Sequence, residues 1–193
     1  MARFLLLLLV IPTINLFAGK PLTWYEGAVV LADQQVLTGQ VAVHPRQNII
    51  MFRSGDQQTV YPAHKIQNVF YYDEQFNINR KFVSIANRDH GYAKYELYEI
   101  VLRGEVSVLR KERIHLDLND QLDFNYFVMY QDEVLPIKQF NKRVYPHLID
   151  CDSFTFSRFI EREHLNPNSL RDAISMIKYY NRMVSHSSSL ARG

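Results

Sequence analysis

The sequence predicts an α+β protein, in which an antiparallel, β-rich body made of hairpins is followed by two C-terminal helices. Two patterns support this class. From Trp24 to about Lys138, short segments rich in Val, Ile, Tyr and Phe alternate with polar turns, as in strands joined by tight connections. From about Phe140 the apolar residues recur every three or four positions, which is typical of amphipathic helices.

The composition indicates a globular chain and excludes several classes of protein. The chain has 193 residues, 47% of them hydrophobic, a formal net charge of +2 and one cysteine. Collagen-like and strongly disordered chains do not have this composition. The small net charge provides no electrostatic footprint for nucleic acid or for anionic lipid. Cys151 has no intramolecular partner, so a disulfide framework is excluded.

Residues 1–18 have the layout of a secretory signal peptide. A single positive charge precedes an apolar run from Phe4 to Ile11, and the small residues Ala18 and Gly19 offer a cleavage point. An uncleaved anchor is the alternative, but the run is shorter than the ~20 residues that span hydrocarbon. We therefore expect cleavage near Ala18 and export. The scarcity of cysteine favours a bacterial periplasm or cell envelope over animal secretion.

The β-rich region, residues 19–138, divides into two sections, 19–73 and 80–138. In the first section, the predicted hairpins pair residues 27–31 with 36–43 and residues 48–52 with 58–61. In the second section, a strand at 81–86 precedes hairpins that pair residues 95–102 with 105–109 and residues 124–131 with 134–137. Residues 65–72 fit either a strand or one helical turn, and Gly104 is expected to adopt a positive φ in its turn. One sheet and two small barrels both remain open, and no internal repeat is firm.

The C-terminal region, residues 139–186, is predicted to be helical. Asp152 or Ser153 can cap a helix that ends near Leu165, because a following proline disfavours helical geometry. A second helix begins at Asn166 or Asn168. Its apolar stripe consists of Leu170, Ala173, Ile174, Met176, Ile177, Tyr180 and Val184. Residues 187–193 are expected to form a flexible tail.

No motif identifies a catalytic, cofactor-binding or metal-binding residue. The seven histidines are scattered, and no two have the i, i+4 spacing that presents both imidazoles to one metal. The acidic residues 117–123 lack the Gly and Glu that an EF-hand loop needs. A serine nucleophile elbow and phosphate-binding glycine loops are also absent from the sequence.

The strands are rich in aromatic residues. Packing in the core and between strands explains them best, because aromatic side chains fill half-buried pleated surfaces well. An aromatic platform for a peptide or glycan is the alternative. The residues concerned are Tyr71, Tyr72, Tyr95, Tyr98, Phe124, Tyr126, Phe127 and Tyr130.

Three segments together resemble uncharacterised exported bacterial envelope proteins. The first is the Gly-x-Val-x-Leu and Leu-x-Gly-x-Val opening at 27–31 and 37–41. The others are the hairpin at 102–106 and the pair Tyr180 and Asn181 in the last helix. The resemblance implies no activity, cofactor or catalytic residue.

The function expected from these observations is a non-enzymatic periplasmic or cell-envelope protein that binds a protein or peptide partner. The export signal and a strand-rich body with sheet edges available for pairing support it. The alternative is a hydrolase whose site is assembled from distant residues, with His90 or His115 and nearby acids. Such a site would require these side chains to converge in one pocket. Nucleic acid and, after cleavage, a membrane span are not expected, and the oligomeric state is left open.

Overall fold

The structure, a computed structural model, describes residues 22–87, 94–113, 123–151 and 153–190. This part of the chain is α+β, as the sequence predicts. Its strands are β1 (Tyr25–Leu31), β2 (Val36–His44), β3 (Ile49–Ser54), β4 (Gln57–Pro62), β5 (Ile66–Asp73), β6 (Ile78–Asn87), β7 (Lys94–Leu102), β8 (Ser107–Glu112), β9 (Phe124–Tyr130) and β10 (Glu133–Pro136). Its helices are α1 (Phe140–Arg143), α2 (Tyr145–Cys151), α3 (Ser153–Arg162) and α4 (Leu170–Leu190), with 3-10 helices at Ala63–Lys65 and Ile137–Gln139.

All ten strands form one sheet, in the order β10-β9-β8-β7-β6-β5-β1-β2-β3-β4. Each pair of neighbours is antiparallel. Strand β5 lies between β1 and β6, so the hairpin formed by β5 and β6 joins the two sections that the sequence separates. The question of one sheet or two is therefore decided in favour of one.

The two halves of the sheet have similar strand arrangements but different connectivity. Strands β1 to β4 form a meander that ends in the 3-10 helix Ala63–Lys65, and β7 to β10 form a meander that ends in the 3-10 helix Ile137–Gln139. A fifth strand flanks the first strand of each meander: β5, which follows its meander in the chain, flanks β1, whereas β6, which precedes its meander, flanks β7. The sequence does not reveal this arrangement, because any meander shows the same alternation of apolar segments and turns. Of the two alternatives for residues 65–72, the strand is the one observed: β5 spans Ile66–Asp73, and only Lys65 belongs to the preceding 3-10 helix.

Each half has its own hydrophobic core. The core of the first half lies within its strands and the first 3-10 helix, and one residue each from β6 and β7 of the other half completes it. Its buried members are Val29, Leu31, Val41, Ile50, Phe52, Ala63, Ile66, Val69, Phe82 and Leu97. In the second half the C-terminal helices pack against β8, β9 and β10. The buried members there are Val106, Val108, Val128, Leu135, Phe140, Val144, Leu148, Phe156, Ala173, Met176, Ile177 and Tyr180.

Most residues with a positive φ lie in the turns between strands, but Gly104 is not one of them. Gly55 has a φ of 57°, and the two-residue turn between β9 and β10 places Gln131 and Asp132 at 50° and 61°. Among the described residues, Gly55 is the only glycine with a positive φ, so the expectation for Gly104 is wrong. What requires glycine at 104 is a close approach, because a Cβ there would overlap the side-chain amide of Asn181.

The two predicted helices are present as α3 and α4, and the short helices α1 and α2 precede them. The cap of α4 differs from the predicted one. The Oγ of Ser169 accepts a hydrogen bond from the Asp172 N–H at 3.4 Å, whereas Asn166 accepts one from the Asn168 N–H in the preceding loop. Helix α4 extends to Leu190, past the predicted boundary at residue 186.

Candidate functional site

The aromatic residues singled out in the sequence do not form one platform. Tyr71 stacks between Tyr25 and Phe82, with ring centroids 4.5 and 6.0 Å away, and Tyr98 packs edge-on against Phe127. These residues pack within the sheet, as the sequence favours. Tyr72 and Tyr95 are more exposed, at 44% and 40%. They pair with Asn79 and Ala86 of β6, which point to opposite faces of the sheet, so they cannot share a ligand surface.

A row of alternating charges crosses the sheet, one residue from each of β5 to β8. The Arg80 Nε donates to Asp73 Oδ2 at 2.6 Å, and its Nη1 donates to Glu99 Oε1 at 2.7 Å. The Arg110 Nε and Nη2 donate to the two oxygens of Glu99 at 2.7 and 2.8 Å. Only 2% of Asp73 and 8% of Glu99 are exposed. We call these four residues the charge row.

The environment of the charge row keeps its arginines charged. Burial alone would lower the pKa of Arg80, but its hydrogen bond to Asp73 and the charge of Glu99 outweigh burial and raise this pKa. The pKa of Arg110 is raised in the same way, because hydrogen bonds to Glu99 outweigh burial. Both carboxylates accept hydrogen bonds from guanidinium groups. The charge row therefore links four neighbouring strands and helps to hold their register.

Only some of the predicted chemical candidates fall within the described residues. His90, His115 and the acidic residues 117–120 lie outside them, as do the side chains of Cys151 and Ser153. The hydrolase alternative therefore stays a prediction. Among the described residues, no group of three or more His, Cys, Asp or Glu side chains is arranged to hold a metal ion.

The surface best suited to recognition is the outer edge of β4, the last strand in the sheet order. A two-residue turn joins β3 to β4, and Ser54 pairs with Gln57 next to it. In an antiparallel hairpin, hydrogen-bonded and non-hydrogen-bonded pairs alternate from that closing pair. Gln58 and Val60 thus have their N–H and C=O groups directed away from β3. Pro62 occupies the same kind of position, where its missing N–H costs nothing.

A groove of about 480 Å³ lies beside this edge, lined by Leu31, Ala32, Asp33, Val60, Tyr61, Pro62 and Lys65. Its lining is mostly apolar, and half of Val60 (50%) is exposed. Edge strands are commonly protected by charged residues, proline or bulges. The segment from Gln57 to Val60 contains neither charge nor proline. No strand of the described chain covers it.

The opposite edge of the sheet is less suitable for pairing. Strand β10 has four residues and ends in Pro136. Hydrogen-bonded and non-hydrogen-bonded pairs alternate along β9 and β10 as well. Glu133 and Leu135 occupy hydrogen-bonded positions, so the backbone groups of Val134 are directed away from β9. We take the outer edge of β4 and its groove, hereafter the β4 edge, as the candidate site. The uncharged segment Gln-Gln-Thr-Val was the sequence signal for it, but this signal does not show which strand lies at an edge.

Comparison with known proteins adds no assignment: no family model, curated protein or solved structure matches this chain. The resemblance to exported bacterial proteins thus stays a prediction. In the described part of the chain, no helix has the length and apolar character needed to cross a membrane.

Proposed function

We propose that this protein is an exported, non-enzymatic module of the bacterial cell envelope, and that it binds an extended segment of a partner protein along the β4 edge. The observation that carries the proposal is the apolar groove beside the outer edge of β4, which no strand of the described chain covers. Strand addition to a sheet edge obtains affinity from main-chain hydrogen bonds and specificity from pockets for alternate side chains. The β4 edge offers both.

The geometry defines which segment would fit. Gln58 and Val60 are two residues apart, so their outward backbone groups repeat at about 6.6 Å, the repeat of an extended chain. A strand paired with them would direct every second side chain toward Leu31 and Tyr61, and an apolar residue fits there. Asp33 and Lys65 add one charge of each sign to the lining. The partner segment is therefore extended, with alternating apolar residues and little net charge.

Val60→Pro tests this proposal directly. It removes an outward N–H that β3 does not use, and proline is tolerated at such edge positions. Val60→Thr is the matched control, because it keeps the backbone groups and nearly the same shape. Peptides selected from a random dodecapeptide library on the wild-type protein are then measured against both variants by fluorescence anisotropy.

Loss of one main-chain hydrogen bond, about 1 kcal/mol, together with the bulk of the ring, should weaken binding by Val60→Pro at least about fivefold. Val60→Thr should bind within about twofold of wild type, and bound peptide should slow amide exchange at Gln58 and Val60. Failure to select any peptide, or equal binding by the proline variant, would refute the proposal. Melting curves of both variants verify that the fold is retained.

Export is tested separately by expressing the full chain in a Gram-negative host. Mass spectrometry of the periplasmic fraction should find a chain that begins at Gly19, after cleavage at Ala18. Recovery of the full-length chain in the cytoplasm alone would contradict the export part of the proposal and leave the β4 edge experiment unaffected.

A further inference from the structure

The C-terminal helices carry a second surface, in which arginine side chains stack on aromatic rings. The rings of Phe159 on α3 and Tyr179 on α4 are nearly parallel, at 3°, with centroids 3.9 Å apart. Phe154, one turn before Phe159, is 70% exposed. A groove of about 590 Å³ runs between these residues. We call Phe154, Arg158, Phe159, Arg162, Tyr179 and Arg182 the arginine–aromatic patch.

Each aromatic ring of the patch has one guanidinium group over it. The Cζ of Arg158 lies 5.3 Å from the centroid of Phe154. Arg162 lies 5.9 Å from Phe159, and Arg182 lies 5.8 Å from Tyr179. Because Phe159 and Tyr179 cover each other's inner faces, these two guanidinium groups lie outside the pair. A guanidinium group over an aromatic face is attracted to the ring and can still donate through its N–H groups to a ligand.

Planar guanidinium groups suit carboxylates, which they bind through two parallel hydrogen bonds. All three arginines of the patch are exposed, so binding a carboxylate would not require breaking a buried network. We therefore propose that the arginine–aromatic patch binds a short acidic segment of a partner protein, with an aromatic side chain of that segment packed on Phe154. This surface lies in the half of the molecule opposite the β4 edge and does not depend on it.

The acidic residues beside the patch favour a peptide over an anionic membrane or a nucleic acid. Glu161 lines the same groove, and Glu163 accepts a hydrogen bond from Arg162 Nε at 2.9 Å. A continuous anionic surface would meet these carboxylates as well as the arginines. A short peptide in a concave groove can place its carboxylates on the arginines alone. The formal net charge of only +2 also provides no long-range attraction for polyanions.

The test uses the fluorescein-labelled pentapeptide Glu-Glu-Tyr-Glu-Glu and the matched peptide Gln-Gln-Tyr-Gln-Gln, titrated with the full protein at low salt. The acidic peptide should saturate with a Kd below about 1 mM, and the glutamine peptide should bind at least about tenfold more weakly. The double variant R158Q/R162Q should lose about tenfold in affinity for the acidic peptide. R158K/R162K, which keeps the charge but not the planar donors, should lose about threefold.

Arg143→Gln is the matched control, because Arg143 is an exposed arginine on α1 that pairs with Glu133 outside the patch. It should bind the acidic peptide as wild type does, and so should Val60→Pro. The same titrations are run with phosphatidylglycerol vesicles and a single-stranded oligodeoxynucleotide. The proposal is overturned by failure of the acidic peptide to saturate, by equal losses in R143Q and R158Q/R162Q, or by tighter arginine-dependent binding of vesicles or DNA.

Discussion

The contact between Asn181 of α4 and the turn between β7 and β8 should be a main determinant of stability in the second half. The Asn181 Nδ2 donates to the Val106 carbonyl at 2.8 Å, and its Oδ1 accepts from the Val106 N–H at 3.0 Å. One side chain thereby satisfies both backbone groups of a residue whose exposure is 0%. Gly104 lies against the same amide, where a Cβ would come within 2.6 Å of Asn181 Oδ1.

The expected loss in the free energy of unfolding follows from these two hydrogen bonds. Asn181→Ala removes both and leaves two backbone groups of Val106 without partners, so we expect a loss of about 3 kcal/mol in the free energy of unfolding. Gly104→Ala places a methyl group where the Asn181 amide lies and so displaces it. Alanine also restricts the unfolded chain, which offsets the destabilisation by about 0.5 kcal/mol. The net loss in the free energy of unfolding should be about 2 kcal/mol.

The two changes should be strongly non-additive. Once Asn181 is alanine, the methyl group at Gly104 meets no amide, so the double variant should lose about 3 kcal/mol rather than about 5 kcal/mol. Urea unfolding of the wild type, both single variants and the double variant measures this coupling. Arg103→Ala, an exposed neighbour, is the control and should change stability by less than about 0.5 kcal/mol. Additive losses, or a harmless Gly104→Ala in the wild-type background, would show that the reasoning is wrong.

Two further predictions concern charged residues. Glu99→Gln leaves Arg80 and Arg110 partly buried without their shared carboxylate, so the free energy of unfolding measured in urea should fall by about 3 kcal/mol. The control Glu133→Gln breaks an exposed pair and should lower it by less than about 1 kcal/mol. Burial alone would raise the pKa of Glu96, but hydrogen bonds from Tyr98 and from lysines, with the lysine charge, lower it. A lowered folded-state pKa stabilises the protein above the unfolded-state value, and this contribution is lost as the pH falls. The stability difference between wild type and Glu96→Gln should therefore be present at pH 7 and shrink from about pH 5 toward pH 3; a difference that stays constant with pH would contradict it.

The sequence predicted those features that depend on neighbouring residues. The hairpin of residues 27–31 with 36–43 appears as β1 and β2, and the two predicted helices appear as α3 and α4. Alternation of apolar and polar residues and the residues that form turns are local signals, so they can be read without knowing the fold. Residues 65–72 gave an ambiguous signal, and the structure makes all of them but Lys65 part of β5.

The candidate site was only partly predictable. The sequence led us to expect a sheet edge open to a partner, but nothing in it shows that β4 lies at the edge while the similar strand β5 is buried between β1 and β6. The aromatic residues were recognised as packing residues, but their assignment to opposite faces required the register of β6. The stacked arginines of α3 could not be distinguished from an ordinary solvated face, because Tyr179 comes from another helix.

By itself, then, the sequence determined the α+β class, the order of hairpins and helices and the expectation of an export signal. Tertiary structure decided that both β sections form one sheet, that Gly104 is required by Asn181 rather than by its own φ, and that Asp73, Arg80, Glu99 and Arg110 form one row. The physical reason is distance along the chain. Pairings between strands and helices far apart in sequence depend on register and packing, which are established only when the whole chain folds.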